Sequence, residues 1–281
     1  MAVTNGWGQG AVNNTIDYGQ GAIDNTVSWG AIQSVSASGD TNITGSSGSS
    51  FSNTKSIDLD GIDDYVTMGT SKLEFNRTTP FTFSLWIKPH QAEFSAIIGN
   101  TFNGGFYQGY MIWQQVSGGS ITLNCRLRKS SSENVQFEGT STFSLNQWYH
   151  IAMTYDGSGA NTGLKLYVDG VNQAGTRSGT MTQDLNWSSN AIPFNIGSRM
   201  NGDRPFNGNI DEVGIFDAEL SASDVTSIYN SGAPASLSSY SSLTNWWRCG
   251  DSDTSPTLTD NKGSINGTMT NFSTFSTDVP T

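Results

Sequence analysis

The chain has 281 residues, and its 13 Lys and Arg against 24 Asp and Glu give a formal net charge of −11. Charged residues are 13% of the chain, against ~25% in an average soluble domain, while an aromatic content of 11% supplies a core and excludes a disordered chain. The acidic balance argues against nucleic-acid binding, and no apolar run approaches the ~20 residues of a membrane-inserted helix.

An eleven-residue repeat occupies residues 1–35, where aromatic-glycine steps and β-branched residues recur in phase. The in-phase residues are Trp7, Val12, Tyr18, Ile23 and Trp29. So short a unit cannot bury its own apolar side chains, so we interpret it as an extended arm that docks on a partner. A flexible tail is the alternative. Residues 36–55 follow as a Ser/Gly-rich linker.

Beyond the linker, apolar and polar residues alternate with a period of two, which indicates strands with one face on a core. The apolar members of four such runs are Phe81, Phe83, Leu85 and Ile87; Ile121, Leu123, Cys125 and Leu127; Tyr149, Ile151, Met153 and Tyr155; and Leu164, Leu166 and Val168. Asp169-Gly170 then predicts a tight hairpin turn. Cys125 falls on the inward set, which favours a buried thiol over a disulfide or a reactive site.

One helix is predicted at residues 221–230. Ser221 is a good N-cap, Asp224 stands at the capping-box position, and Gly232 provides the stop. Many short strands with Gly-, Asn- and Ser-rich turns and a single helix favour an all-β sandwich.

Six segments in order resemble laminin-G-like, concanavalin A-like jelly-roll domains. They are residues 56–66, 81–89, 146–157, 164–171, 194–198 and 206–216. The resemblance implies an antiparallel two-sheet jelly roll over residues 56–235, preceded by the extended arm.

The arm also resembles segments of tailed-bacteriophage structural proteins, as do residues 245–251 and 260–268. Many relatives carry segments like residues 245–251 and 260–268 before the jelly roll. Here it follows, so residues 236–281 are expected to pack either on the same jelly roll or on a neighbouring one.

This resemblance implies a non-enzymatic virion structural or adhesion protein, such as a tail fibre, head fibre or capsid decoration. Its arm would bind other virion proteins, it would form a homo-oligomer, and its jelly roll would face a host-surface glycan. The N-terminus has no Lys or Arg before Lys55 and no apolar stretch of an export signal, which favours a virion assembled in the host cytoplasm. The alternative is an extracellular location, as a secreted carbohydrate-binding module or an accessory domain of a glycan hydrolase.

Catalysis has little support in the sequence, and no catalytic residue is predicted. The histidines are His90 and His150, and the second lies in a strand where a structural role is favoured. Glycan cleavage needs two carboxylates facing one cleft. The nearest acidic pair, Asp211 and Glu212, are strand neighbours that would face opposite sides.

A calcium site is a candidate in an acidic turn. Four aspartates crowd this turn, namely Asp58, Asp60, Asp63 and Asp64, and Asp211 opens the closing strand that the fold is expected to bring near it. The candidate ligands are Asp60, Asp64 and Asp211. Carboxylate oxygens are the ligands that calcium prefers. The alternative is that these aspartates only form turns and caps.

Glycan binding is implied by the family and needs exposed aromatic rings that stack on sugars. Two loop-like, aromatic segments supply the candidates Phe106, Tyr107, Tyr110 and Trp187. The alternative is that these rings pack over a sheet edge or against another subunit.

Overall fold

The structure is a computed structural model that describes residues 51–102, 108–185 and 192–281. They lie in one compact unit, Ser49–Thr281, while the predicted arm lies outside the described residues. Within that unit, no described helix is long and apolar enough to cross a bilayer.

The described residues form sixteen strands and one α-helix. The strands are β1 Ile57–Asp60, β2 Tyr65–Thr70, β3 Phe81–Pro89, β4 Ser95–Phe102, β5 Gln108–Ser117, β6 Ser120–Arg128, β7 Asn134–Gly139, β8 Tyr149–Tyr155, β9 Leu164–Val168, β10 Val171–Asn172, β11 Gly175–Ser178, β12 Pro193–Ile196, β13 Asn207–Phe216, β14 Leu243–Trp247, β15 Thr257–Leu258 and β16 Gly267–Thr270. The helix, α1, is Ala222–Tyr229.

Two antiparallel sheets pack face to face, which confirms the predicted two-sheet jelly roll. The first sheet runs β1-β13-β3-β8-β9-β10, and β14 pairs with the same edge of β13 as β1. The second sheet runs β11-β7-β6-β5-β4-β12-β2-β16-β15.

The core between the sheets contains the inward side chains of the predicted alternation. Phe81 and Phe83 of the first sheet meet Tyr110 of the second, with ring centroids 5.7 and 5.1 Å apart. Cys125 is fully buried among these residues, and burial raises the pKa of its thiol, as expected for an inert core cysteine. The predicted hairpin also forms, since Val168 pairs with Val171 and Asp169 and Gly170 both have positive φ.

Helix α1 covers the outer face of the first sheet. Its N-cap is Ser221, whose side chain accepts a hydrogen bond from the Asp224 backbone, and the Asp224 carboxylate completes the capping box. Val225 and Ile228 are buried against this face. The helix with its two caps covers the predicted residues 221–230, although Asn230 rather than Gly232 adopts the left-handed conformation that ends it, with φ of 47°.

The last 46 residues belong to the same sandwich in this structure. β14 extends the first sheet and β15 and β16 extend the second, so the segment completes both layers. Residues 51–55 also belong to the folded unit rather than to a linker. Phe51 stacks on Trp246 at 6.1 Å, and Thr54 donates to the Asp251 carboxylate.

Candidate functional site

The outer face of the second sheet carries an unusual set of side chains at β5 and β6. Strict alternation sends Tyr110 into the core and turns Met111 and Trp113 outward. On β6 the outward residues include Asn124, directly opposite Trp113, and Arg126, directly opposite Met111. An indole, an amide and a guanidinium therefore share one patch at the centre of the sheet.

Strand β4 extends this patch on the other side of β5. Ala96 lies opposite Trp113, and Phe94 packs against the cluster that these two residues form with Met111. The Arg126 guanidinium lies 5.3 Å from the Trp113 ring centroid. The guanidinium groups of Arg199 and Arg204 lie 5.8 and 5.2 Å from the Phe94 ring centroid. We call this patch the aromatic–arginine face, made of Phe94, Ala96, Met111, Trp113, Asn124, Arg126, Arg199 and Arg204.

The charge of this face differs from that of the whole chain. Three arginines meet there in a protein with a net charge of −11. Arg199 forms an ion pair with the Asp203 carboxylate at 2.5 Å. The exposed Glu138 lies opposite Asn124 in the register, and its carboxylate accepts a hydrogen bond from the Gln136 side chain. Arginines over aromatic rings offer a flat surface with donors at its edge.

Sequence reasoning missed these residues and chose Tyr110 instead, which was wrong. Tyr110 was assigned to a loop, but β5 already begins at Gln108, and the alternation turns Tyr110 into the core, where it is fully buried. The same alternation, counted three residues further, could have identified Trp113 as an outward-facing tryptophan.

The other glycan candidates, Phe106, Tyr107 and Trp187, lie outside the described residues. The structure does show where their loops attach. One loop joins Phe102 of β4 to Gln108 of β5, which are register partners. The other leads into β12, where Asn195 pairs with Gly99 of β4. The described residues that flank these segments therefore lie at the same end of the second sheet.

The acidic turn joins β1 to β2 and brings together two of the three predicted metal ligands. Oxygens of Asp60 and Asp64 lie within 4.8 Å of each other and of Asp63. Burial, then repulsion by Asp60 and Asp63, raises the pKa of the Asp64 carboxyl, while its hydrogen bond from the Asp60 backbone opposes that rise. Asp60 in turn accepts from the backbone of Ile62 at 2.8 Å, so the carboxylates also stabilise the turn itself.

The third predicted ligand, Asp211, is not near this turn. The register of β1 and β13 places Asn207, not Asp211, opposite Asp60. The Asp211 carboxylate instead accepts from Asn53 at 2.7 Å and from the Glu212 backbone at 2.8 Å. The prediction that Asp211 joins the acidic turn was wrong by four positions along β13.

A bulge in β13 also changes the expected arrangement of Asp211 and Glu212. The register with β3 shifts between Asp211 and Gly214, and Glu212 has φ of 47°. The strand alternation is broken there, so both carboxylates are buried. Glu212 accepts from Arg248 at 3.0 Å and from the Trp246 indole at 2.6 Å.

Burial dominates the ionisation of this acidic pair. Burial raises the pKa of Glu212 to about 7, although the positive charge of Arg248 lowers it. Burial also raises the pKa of Asp211, and the negative charge of Glu212 raises it further. Both carboxylates are buried, and they accept hydrogen bonds from Asn53, Trp246 and Arg248.

His150 lies under helix α1 and is fully buried. Its Nε2 lies 2.8 Å from Ser84 Oγ, and the Trp86 and Tyr229 rings pack around it. Burial lowers the pKa of His150 to about 3, so the ring is neutral. Asp169 binds the backbone N–H of His150 rather than its ring, so the three groups do not form a catalytic triad.

The predicted docking residues Trp7, Val12, Tyr18, Ile23 and Trp29 lie outside the described residues. The described N-terminal stretch, residues 51–56, runs beside the C-terminus. Ser56 and Ser276 exchange two backbone hydrogen bonds, of 3.1 and 2.9 Å.

Similar solved structures support the fold. A heptameric SAP-like pentraxin from Limulus polyphemus is 15% identical, with a TM-score of 0.50 over 63% of this chain and 82% of the pentraxin. A candidate carbohydrate-binding protein from Bacteroides ovatus is 22% identical, with a TM-score of 0.58 over 82% of this chain and 62% of that protein. At these identities the likeness establishes the shared fold.

Sequence comparison identifies the family. The adhesion G-protein coupled receptor V1 of Danio rerio is 26% identical over 160 residues, which are 56% of this chain and 2% of the receptor. The family profile described as the concanavalin A-like lectin/glucanases superfamily, of the laminin G type, matches residues 60–226, more than half of the chain. Together with the two-sheet jelly roll, this match shows that the chain belongs to the concanavalin A-like lectin/glucanases superfamily.

Proposed function

We propose that the chain is a non-catalytic glycan-binding protein that holds its ligand on the aromatic–arginine face. The observation that carries this proposal is the patch of aromatic rings, with guanidinium and amide groups at their edges, on one face of the sheet. Sugars bind by stacking their apolar faces on exposed rings while polar neighbours fix their orientation. On this face the partly exposed ring is that of Phe94, since Trp113 is buried. Membership of a superfamily that includes lectins supports this choice.

The buried acids support a binding role over cleavage. Glycosidases use two carboxylates that flank the scissile bond in an open cleft. Asp211 and Glu212 are instead enclosed and hydrogen-bonded within the fold, and His150 lies under α1. Incubation with a polysaccharide panel should release no sugar, and reproducible release that Glu212→Gln abolishes would overturn this part of the proposal.

A glycan array followed by calorimetry tests the binding function. We expect Phe94→Ala to weaken binding of an array hit by about tenfold, because it removes a ring from the face. Trp148→Ala is the matched control, since its indole donates to Asp278 at 2.9 Å, outside the aromatic–arginine face. An array without any hit, or equal losses in both variants, would contradict the proposal.

We further propose that the N-terminal arm anchors this protein, in several copies, to a larger particle, and that the particle is a tailed-bacteriophage virion. The in-phase repeat of Trp7, Tyr18 and Trp29 supports this, because burying each ring contributes roughly 1.5–3 kcal/mol. The alternative is a secreted carbohydrate-binding module without a particle partner. Joint replacement of the three rings by alanine should leave the fold intact and prevent incorporation into the particle. Normal incorporation would favour the secreted module.

We propose, finally, that the acidic turn binds calcium. Its fit rests on carboxylate oxygens of Asp60, Asp63 and Asp64 that lie within 4.8 Å of one another, a donor set suited to a hard cation. Asp211 has no part in this site.

A further inference from the structure

Two neighbouring residues of the aromatic–arginine face carry buried N–H donors that no described residue accepts. Trp113 and Asn124 are register partners, and they are only 4% and 2% exposed. Neither Trp113 Nε1 nor Asn124 Nδ2 has a hydrogen-bond partner among the described residues. An unsatisfied buried donor costs about 1–3 kcal/mol, and few native groups are left in that state. An acceptor supplied by a ligand would satisfy both donors.

The orientation of the Asn124 amide is fixed by its other contact. Its Oδ1 accepts a hydrogen bond of 3.2 Å from the Gly139 backbone N–H. Rotating the amide would exchange this acceptor for a donor and lose that bond. The Nδ2 donor is therefore the part of Asn124 that remains for a ligand.

Arg126 adds a positive charge to these donors. It lies two residues beyond Asn124 on the same face of β6, and its guanidinium lies 5.3 Å from the Trp113 ring centroid. Neither an indole nor a guanidinium carries an acceptor atom, the amide oxygen of Asn124 is engaged by Gly139, and the neighbouring Glu138 carboxylate accepts from Gln136. A neutral hydroxyl needs an acceptor as well as a donor, whereas a carboxylate only accepts.

We propose that the aromatic–arginine face selects sugars that carry a carboxylate, as uronic and sialic acids do. The carboxylate binds at Trp113, Asn124 and Arg126, and the sugar ring lies on the neighbouring aromatic surface. This inference rests on the proposed glycan-binding function and specifies its ligand class. The negative charge of the whole chain opposes it only weakly, because at physiological salt charges are screened beyond ~8 Å.

Calorimetry with matched pairs of sugars tests this selectivity. One pair is trigalacturonate and galactotriose, and the other is 3′-sialyllactose and lactose. The two pairs distinguish a uronic from a sialic source of the carboxylate. We expect the acidic member of one pair to bind about tenfold more tightly than its neutral partner, as for a charge-assisted hydrogen bond. Equal affinity within both pairs would overturn this inference and leave the glycan-binding function standing. If none of these four sugars binds and the glycan array is also blank, both this inference and the glycan-binding function are contradicted.

A pair of charge-matched variants locates the carboxylate. Asn124→Asp keeps the acceptor for Gly139 and replaces the donor by a negative oxygen, so we expect about a tenfold loss or more for the acidic sugar. Asn172→Asp makes the same change at an exposed position in β10 of the first sheet and should leave affinity unchanged.

A second variant covers the case in which Asn124→Asp unfolds. Trp113→Phe keeps an aromatic ring and removes the N–H, and it should weaken acidic-sugar binding by roughly three- to tenfold while affecting the neutral partner less. Unchanged selectivity in the variants that fold would overturn the assignment of these donors.

Discussion

Glu212 shows how one backbone irregularity sets the chemistry of a side chain. In a regular strand it would point away from Asp211, but the bulge in β13 buries both carboxylates. Arg248 and the Trp246 indole bind its two oxygens, yet burial still raises its pKa to about 7. The folded state therefore binds this proton more tightly than the unfolded chain does.

This raised pKa predicts that stability falls as pH rises. The contribution of Glu212 to the free energy of unfolding is complete below its ordinary pKa and is lost as pH rises toward about 7. Asp211 changes the free energy of unfolding in the same direction. The loss for Glu212 is of the order of 3 kcal/mol. Melting temperatures should fall between about pH 5 and pH 7.5, and Glu212→Gln should flatten that fall.

Glu138→Gln is the control for this experiment, because Glu138 is exposed on the other sheet. It should keep the pH dependence of the parent protein. The interpretation of Glu212 would be wrong if both variants, or neither, flattened the profile.

At the scale of single elements, the acidic turn between β1 and β2 makes the calcium proposal testable. An ion held by Asp60, Asp63 and Asp64 would relieve the repulsion that, after burial, raises the pKa of Asp64. Millimolar calcium should therefore raise the melting temperature relative to excess chelator, by mass action on the folded state. Asp63→Asn should reduce that rise, and an equal melting temperature with calcium and chelator would contradict the site.

The capping box of α1 is a second element whose contribution can be measured. Ser221→Ala removes the side chain that accepts from the Asp224 backbone, and it should cost about 1 kcal/mol of unfolding free energy. Ser227→Ala is the control, because Ser227 is exposed and its hydroxyl donates to the Ser223 carbonyl within the same helix. Chemical denaturation measures both, and equal effects would argue against a role for the cap.

Elements with a regular period could be predicted from the sequence, while positions set by register or by a bulge could not. The inward placement of Cys125 and the capping by Ser221 follow from local pattern. The distance of Asp211 from the acidic turn depends on which β13 residue pairs with Asp60, which is a tertiary property. Tyr110 was misplaced because glycines near it hid the start of β5.

At the scale of the whole molecule, the C-terminal residues are part of the core of the unit Ser49–Thr281, and residues 1–48 form a separate unit. Trp247 of β14 is fully buried, and Met269 of β16 packs beside Val66 in the same core cluster. Deleting residues 1–48 should leave the melting temperature of Ser49–Thr281 unchanged. Ending the chain at residue 241 removes three strands and should prevent cooperative unfolding.

Circular dichroism during heating distinguishes these two truncations. A cooperative melt of the C-terminally shortened chain would show that β14–β16 are dispensable. A lower melting temperature after removal of residues 1–48 would show that the arm stabilises the sandwich.

The two backbone hydrogen bonds between Ser56 and Ser276 bring the ends of the folded unit together. Such an arrangement permits a circular permutant, in which a short linker joins residue 281 to residue 51 and new termini open at Gly118-Gly119 in the β5–β6 hairpin. Both glycines have positive φ and open space around them, so cutting there disturbs no packing. The permutant would present its new ends beside β5 and β6, so a fused partner could be placed at the aromatic–arginine face instead of at the natural termini.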